Sequence, residues 1–151
     1  MPAARLQARG SVSYFGLPVY ELRLWVTENV TAETFEHRLL ALEIEYARAL
    51  DGRRIAERSL AEMQRVDGIS DEQAQRWLAA MTQAFPEVAR GDRLTGVQRP
   101  REATHFFFNT VRRGEIRDAE FTRRFFGIWL GPRSSEPGLR ATLLGLPRAA
   151  S

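Results

Sequence analysis

The chain has 151 residues, enough to bury a hydrophobic core, and we predict a single domain over residues 1–151. The composition, 44% hydrophobic and 27% charged, is ordinary for a globular protein, and no apolar run predicts a membrane span. The absence of cysteine excludes disulfides, thiolate metal sites and cysteine nucleophiles.

The basic residues are all arginine, since the sequence contains no lysine, and the formal net charge is only +3. The high pKa of arginine raises the isoelectric point to about 10.1 without a large excess of positive charge. Along the sequence the arginines alternate with acidic residues and do not cluster beside stacking aromatics. We therefore expect no nucleic-acid partner.

The first third of the chain predicts three strands. Residues 5–15 and 17–27 are strand-like on either side of Gly16, and the second of them alternates apolar and polar side chains. Residues 28–38 are polar and predict a loop. Residues 40–50 show both helical propensity and period-two alternation; because an Asp-Gly turn signal follows, we predict a strand.

Two helices follow, over residues 53–66 and 70–84. Ser70 is placed to cap the second helix, with Gln73 at the capping-box position, and Pro86 ends it. Helices joined by so short a loop should pack as an antiparallel pair.

The C-terminal third predicts three more strands and two more helices. After a short strand at residues 92–98, a Phe-rich strand turns at Asn109 and Thr110 into a strand that ends at Ile116. Asp118 then begins a helix whose large apolar residues share one face, namely Phe121, Phe125, Ile128 and Trp129. Gly131 and Pro132 end that helix, and a last short helix carries Leu139, Leu143 and Leu144.

The order β-β-β-α-α-β-β-β-α-α predicts an α+β fold, with an antiparallel sheet covered on one face by helices. A cleft in such a fold should lie between the sheet and the long C-terminal helix. Large residues off the main face of that helix, Phe126 and Leu130, either widen the buried stripe or form an exposed patch.

Few side chains are candidates for chemistry. His37 and His105 stand at no metal-ligand spacing, and Glu43 with Glu45 is most simply a solvated strand face, so we predict no catalytic residue, metal or cofactor. The three tyrosines fall on predicted strands, where a tyrosine can line a cleft with its hydroxyl. We select Tyr14 and Tyr20 as the candidates for this role.

Arg9, on the first predicted strand, is the one basic residue that we single out. An arginine that points into an apolar cleft would anchor a carboxylate through its bidentate guanidinium; the alternative is a surface ion pair.

Several segments together resemble the bacterial chalcone isomerase-like domain, and the resemblance covers nearly the whole chain. The most specific part is the ending, FFGIWLG at residues 125–131 followed by LRATLLG at 139–145. The other matching parts are Arg9-Gly10 before the G-x-x-V-Y strand, FPEVARGDRLTG at residues 85–96, and the Phe-rich hairpin with Gly114, Glu115 and Ile116.

This resemblance implies an open-faced β-sandwich, a large antiparallel sheet covered by a layer of helices. Plant enzymes of the family close a chalcone ring with an arginine on an early strand, to which Arg9 is the nearest match. At residues 127–128, where those enzymes have a threonine, this chain has no hydroxyl. Non-catalytic relatives hold a fatty acid in the same cleft, with its carboxylate near the arginine.

We therefore predict a non-catalytic, monomeric protein that binds a fatty acid or another amphipathic carboxylate through Arg9, Tyr14 and Tyr20. The alternatives are a protein-interaction module, favoured by an exposed aromatic patch on the long helix, and an intramolecular lyase or isomerase acting on a phenolic substrate. Bacterial members generally carry an export signal, so we expect the periplasm, or otherwise the cytoplasm.

Overall fold

The computed structural model describes residues 3–147. Six strands form one antiparallel sheet in sequence order: β1 (Arg5–Tyr14), β2 (Leu17–Val26), β3 (Leu40–Tyr46), β4 (Arg93–Arg99), β5 (Ala103–Phe108) and β6 (Val111–Ile116). The helices are α1 (Gly52–Val66), α2 (Asp71–Ala84), α3 (Ala119–Leu130) and α4 (Pro137–Leu144). The predicted order of elements and the α+β class are confirmed.

Alternation along the strands separates an inner face, covered by helices, from an outer face. The inner positions of β2 are Leu22, Leu24 and Val26, all fully buried, and they pair with Ile44, Leu42 and Leu40 on β3. In residues 40–50 the period-two alternation therefore predicted the conformation correctly and helical propensity did not. The strand ends at Tyr46, four residues earlier than predicted.

Two short hairpins meet the same end of the sheet, which we call the hairpin end. Tyr14 pairs with Leu17 across the turn residues Phe15 and Gly16, whose φ angles of 50° and 77° are left-handed. Asn109 and Thr110 join β5 to β6 with similar angles. Two consecutive left-handed residues are what a type I′ turn requires, and its twist matches that of the strands.

The two middle helices begin where capping groups are available. Ser70 and Gln73 form the predicted capping box of α2. Asp51 and Gly52, predicted as a turn, instead begin α1: the Asp51 carboxylate accepts from the backbone N–H of Arg53 at 2.8 Å, and Gly52 N–H donates to Glu87.

Helix α3 packs its wide apolar surface against β4 and β5 and against helices α1 and α4. Asp118 caps it and also accepts a hydrogen bond from Trp77 Nε1 at 2.9 Å, which joins α3 to α2. Phe126 and Leu130 are fully buried, so they widen the core stripe and form no exposed patch. The feature that would have favoured an interaction module is therefore absent from α3.

Candidate functional site

A cavity of about 400 Å³ lies between the inner face of the sheet and helices α1 and α3. This volume is within the range of about 300–1,000 Å³ that is usual for small-molecule sites. Its wall is mainly apolar, formed by Val12, Val19, Ile44, Leu50, Ile55, Phe85, Leu94, Phe125, Ile128 and Trp129. Such a cavity suits a ligand that has an apolar body and a polar group at one end.

Tyr20, one of the predicted site residues, lines this cavity. Its hydroxyl oxygen accepts a hydrogen bond from Trp129 Nε1 at 2.9 Å, which fixes the ring and leaves the hydroxyl proton available for donation. Burial raises the pKa of Tyr20 to about 12, so the hydroxyl keeps its proton at neutral pH.

Tyr46 stands beside Tyr20 and also lines the cavity. The two rings are 6.2 Å apart, edge to face, and Tyr46 is only 4% exposed. Burial raises its pKa as well. Within residues 3–147 its hydroxyl has no hydrogen-bond partner, and because Tyr46 lines the cavity, that hydroxyl can contact a ligand there. Two tyrosine O–H groups are thus ready to donate to a polar group in the cavity.

Charged side chains of α1 and of the segment before α4 form the rim. Arg58 pairs with Glu62 at 3.3 Å, and Glu62 also contacts Arg65. Arg54 and Glu136 line the cavity too, yet neither side chain has an ion-pair partner among the described residues. Of the two arginines at the rim, Arg54 is the one free to take an external anion.

Arg9 does not line the cavity, contrary to the sequence prediction. Alternation on β1 turns Ala8, Gly10 and Val12 toward the helices, so Arg9 lies on the outer face with a side chain that is 66% exposed. There it approaches Glu21 at 4.0 Å. The surface ion pair, which was the alternative for this arginine, is the arrangement that the structure has.

Tyr14, the third predicted site residue, stands at the mouth of the cavity. It lines the entrance but is 66% exposed, and its ring contacts that of Phe15. The structure thus brings Tyr14, Tyr20 and Tyr46 to one cavity and leaves Arg9 outside it.

The other polar candidates belong to the outer face or to the surface. Arg23 contacts Glu21, Glu43 and Glu45 at 2.9–3.4 Å, so the predicted carboxylate pair is part of an ion-pair ladder. His105 Nε2 lies 3.1 Å from Glu115. Among residues 3–147, no group of three or more histidine, aspartate or glutamate side chains is arranged to hold a metal ion.

A second concavity of about 570 Å³ lies on the outer face, between Trp25, Val97 and Phe107. It is an uncovered sheet surface that is more open to solvent than the inner cavity. The inner cavity removes more of a ligand from water, and we take it as the candidate site.

Comparison with known proteins identifies the family to which this fold belongs. Residues 5–145 match the model of a family described as chalcone isomerase-like. The chain belongs to the chalcone isomerase-like family. An uncharacterized protein of Haemophilus influenzae is 27% identical over 144 residues, which cover 95% of this chain and 70% of that protein.

Among solved structures, this chalcone isomerase-like chain is similar to a fatty-acid binding protein of Arabidopsis thaliana. The TM-score is 0.70 at 13% sequence identity, and the match covers 95% of this chain and 88% of the plant chain. At that identity the likeness establishes the fold, which is the one that the sequence resemblance implied.

Sequence reasoning missed Tyr46 and Arg54 as site residues, although both carry a readable signal. Tyr46 continues the inner series Leu40, Leu42 and Ile44 on β3. Arg54 stands one and two turns before Arg58 and Glu62, so the three share a stripe of α1. The covering helix supplies the free cation at the rim, and β1 does not.

Proposed function

We propose that this protein binds a fatty acid or another amphipathic carboxylate in the cavity between the sheet and the helices, without catalysing a reaction. The observation that carries the proposal is the mainly apolar cavity between sheet and helices, lined by tyrosine O–H groups without an acceptor and by an arginine without an ion-pair partner within residues 3–147. The fatty-acid binding protein that shares the fold supports the same ligand class.

The carboxylate is assigned to Arg54 and to the tyrosine hydroxyls. Arg54 forms no ion pair among the described residues, and the protonated hydroxyls of Tyr20 and Tyr46 donate without deprotonation. Charge-assisted hydrogen bonds of this kind are roughly twice as strong as neutral ones. Tyr14 at the mouth covers the ligand, and the acyl chain lies against Ile44 and Ile128.

The cavity offers little for the ring-closure reaction. The inward positions of β1 carry Ala8, Gly10 and Val12, and residues 127–128 on α3 are glycine and isoleucine. A developing oxyanion requires preorganised donors to lower the barrier. Consumption of a chalcone followed by absorbance tests the enzymatic alternative; a rate no faster than buffer is the result that we expect.

The binding proposal is tested by displacement of a fluorescent fatty acid with oleate. Arg54→Gln should weaken oleate binding about ten- to hundredfold, because a charged hydrogen bond contributes on the order of 1.5–3 kcal/mol. Arg53→Gln is the matched control, since the neighbouring Arg53 pairs with Glu57 at 3.5 Å and does not line the cavity. Equal affinities for all three proteins, or no displacement by oleate, would contradict the proposal.

Two further expectations belong to this proposal. We place the protein in the periplasm, as the family resemblance implies, and the genomic sequence upstream of Met1 tests this. We also expect a monomer, which light scattering after size exclusion measures directly.

Among the described residues no helix is long and apolar enough to cross a membrane.

A further inference from the structure

The exposed large hydrophobic side chains collect at the hairpin end of the sheet. Within residues 3–147 five such side chains are exposed, and Leu6 alone lies at the opposite end. The other four stand at the two hairpin tips, with exposed fractions of 66% for Tyr14, 89% for Phe15, 61% for Leu17 and 64% for Val111.

Phe15 is also an unfavourable residue for its turn. Its φ of 50° is left-handed, where glycine and asparagine are favoured and a bulky side chain is strained. At 89% exposure the ring contacts only Tyr14 among the aromatic residues, so packing within the protein does not offset this strain. An external contact would account for an aromatic residue at this position.

Unpaired positive charge lies at the same end. Six arginines have no side-chain partner in the part of the chain that the structure describes, and two of them, Arg5 and Arg99, are at the opposite end. The other four are at or near the hairpin end: Arg48 after β3, Arg54 at the start of α1, Arg90 before β4 and Arg113 on β6.

Most acidic residues nearby accept hydrogen bonds from other groups, and the exception is Glu136 at the rim of the cavity. Asp51 and Glu87 accept from backbone N–H groups at the start of α1, and Asp92 accepts from Ala89 N–H and from Asn109. These hydrogen bonds lower the pKa of Asp92. None of these carboxylates forms an ion pair with Arg48, Arg54, Arg90 or Arg113, so these arginines can contact an external anion.

We propose that the hairpin end docks on the surface of a bilayer that contains anionic phospholipid. Phe15, Leu17 and Tyr14 enter the interfacial layer, where aromatic side chains are favoured, and Arg48 and Arg90 face the anionic head groups. The cavity reaches the same surface, since Ser13, Tyr14 and Arg54 line it. An acyl ligand passes between bilayer and cavity there, a step that rests on the proposed function.

Flotation with vesicles tests the docking surface. Vesicles of phosphatidylcholine with phosphatidylglycerol should carry the protein upward, and pure phosphatidylcholine vesicles or high salt should release it. Phe15→Asn with Leu17→Thr should abolish flotation; Asn-Gly is the preferred type I′ pair, so the fold is kept. Arg48→Gln with Arg90→Gln should weaken binding about thirtyfold.

Matched controls lie at the other end of the sheet. Leu6→Thr and Arg99→Gln remove an exposed apolar side chain and an unpaired arginine there, and both variants should float like the unaltered protein. We call Phe15→Asn with Leu17→Thr the tip variant. The docking surface is overturned if the unaltered protein does not float, or if the tip variant and the control variants float equally well. Salt-sensitive binding that ignores the tip substitutions also overturns it, and points to an acidic protein partner.

Failure of the docking surface is distinguishable from failure of the proposed function. The tip variant should displace dissolved fluorescent fatty acid with unchanged affinity, because Phe15 and Leu17 do not line the cavity. If the tip variant no longer bound fatty acid in solution, the proposal that Phe15 and Leu17 act only in membrane docking would be overturned. Flotation by a protein that binds no oleate in solution would overturn the acyl transfer step alone.

Discussion

The inner face of the sheet is filled at one side and hollow at the other. Over β4 and β5, aromatic rings of the sheet, of α3 and of the end of α2 pack at centroid distances of 5.0–5.4 Å, with Phe106 against Phe85 and Phe125. Over β2 and β3, Tyr20 and Tyr46 face a cavity instead. Both regions follow the same alternation of strand side chains. In the filled region aromatic rings pack directly on Phe106, whereas over β2 and β3 the residues of α1 and α3, such as Ile55, Ser59 and Trp129, leave a space.

The largest effect is expected in the filled region. Phe106 is 1% exposed and contacts two aromatic rings edge to face, so Phe106→Ala removes closely packed apolar contacts. We expect the free energy of unfolding to fall by about 3–5 kcal/mol, measured by urea denaturation. A loss below 1 kcal/mol would show that this region is not closely packed.

A second comparison uses neighbouring inner positions of β3. Leu42→Phe enters a packed site and should cost about 1–3 kcal/mol, whereas Ile44→Phe extends into the cavity and should cost less than about 1 kcal/mol. Ile44→Phe should nevertheless abolish oleate binding, because the new ring occupies the ligand's space. Equal stability losses for the two variants would contradict the description of this region as hollow.

The buried tyrosines predict a loss of stability at alkaline pH. The folded pKa of Tyr20, about 12, lies above the ordinary value of 10.0, so the unfolded chain releases its proton first as the pH rises. The stability from this group is complete below pH 10 and decreases between about pH 10 and pH 12. Tyr20→Phe should reduce this alkaline loss, on the order of 2 kcal/mol, as followed by urea denaturation at several pH values.

The smallest effect is expected from Glu136. This carboxylate lines the cavity without an ion-pair partner, so it repels a bound carboxylate across the rim. Glu136→Gln should strengthen oleate binding about two- to threefold, as expected for like charges that are partly solvated. Weaker binding in the variant would place the head group away from this side of the rim.

The sequence predicts most of the fold because each element carries a local signal. The capping box at Ser70, the apolar face of α3 and the turn residues Asn109 and Thr110 are all read from neighbours in the chain and are confirmed. The boundary error at Asp51 has a local cause too, since Asp-Gly suits a helix start as well as a turn.

The site is less predictable because it depends on which face of a strand a residue occupies. Arg9 was selected as a basic residue on the first predicted strand that could anchor a carboxylate, yet strand alternation places it on the outer face with Glu21. Tyr20 and Tyr46 meet only because β2 and β3 pair in one register. Arg54 becomes a rim residue through the packing of α1, which the sequence of that helix alone does not determine.

Native mass spectrometry with added oleate tests the central claim that the hollow region is a ligand site. The unaltered protein should carry one oleate, Leu42→Phe should retain it, and Ile44→Phe should lose it while remaining folded. An oleate adduct of equal intensity on the Ile44→Phe variant would contradict the assignment of the ligand to this cavity.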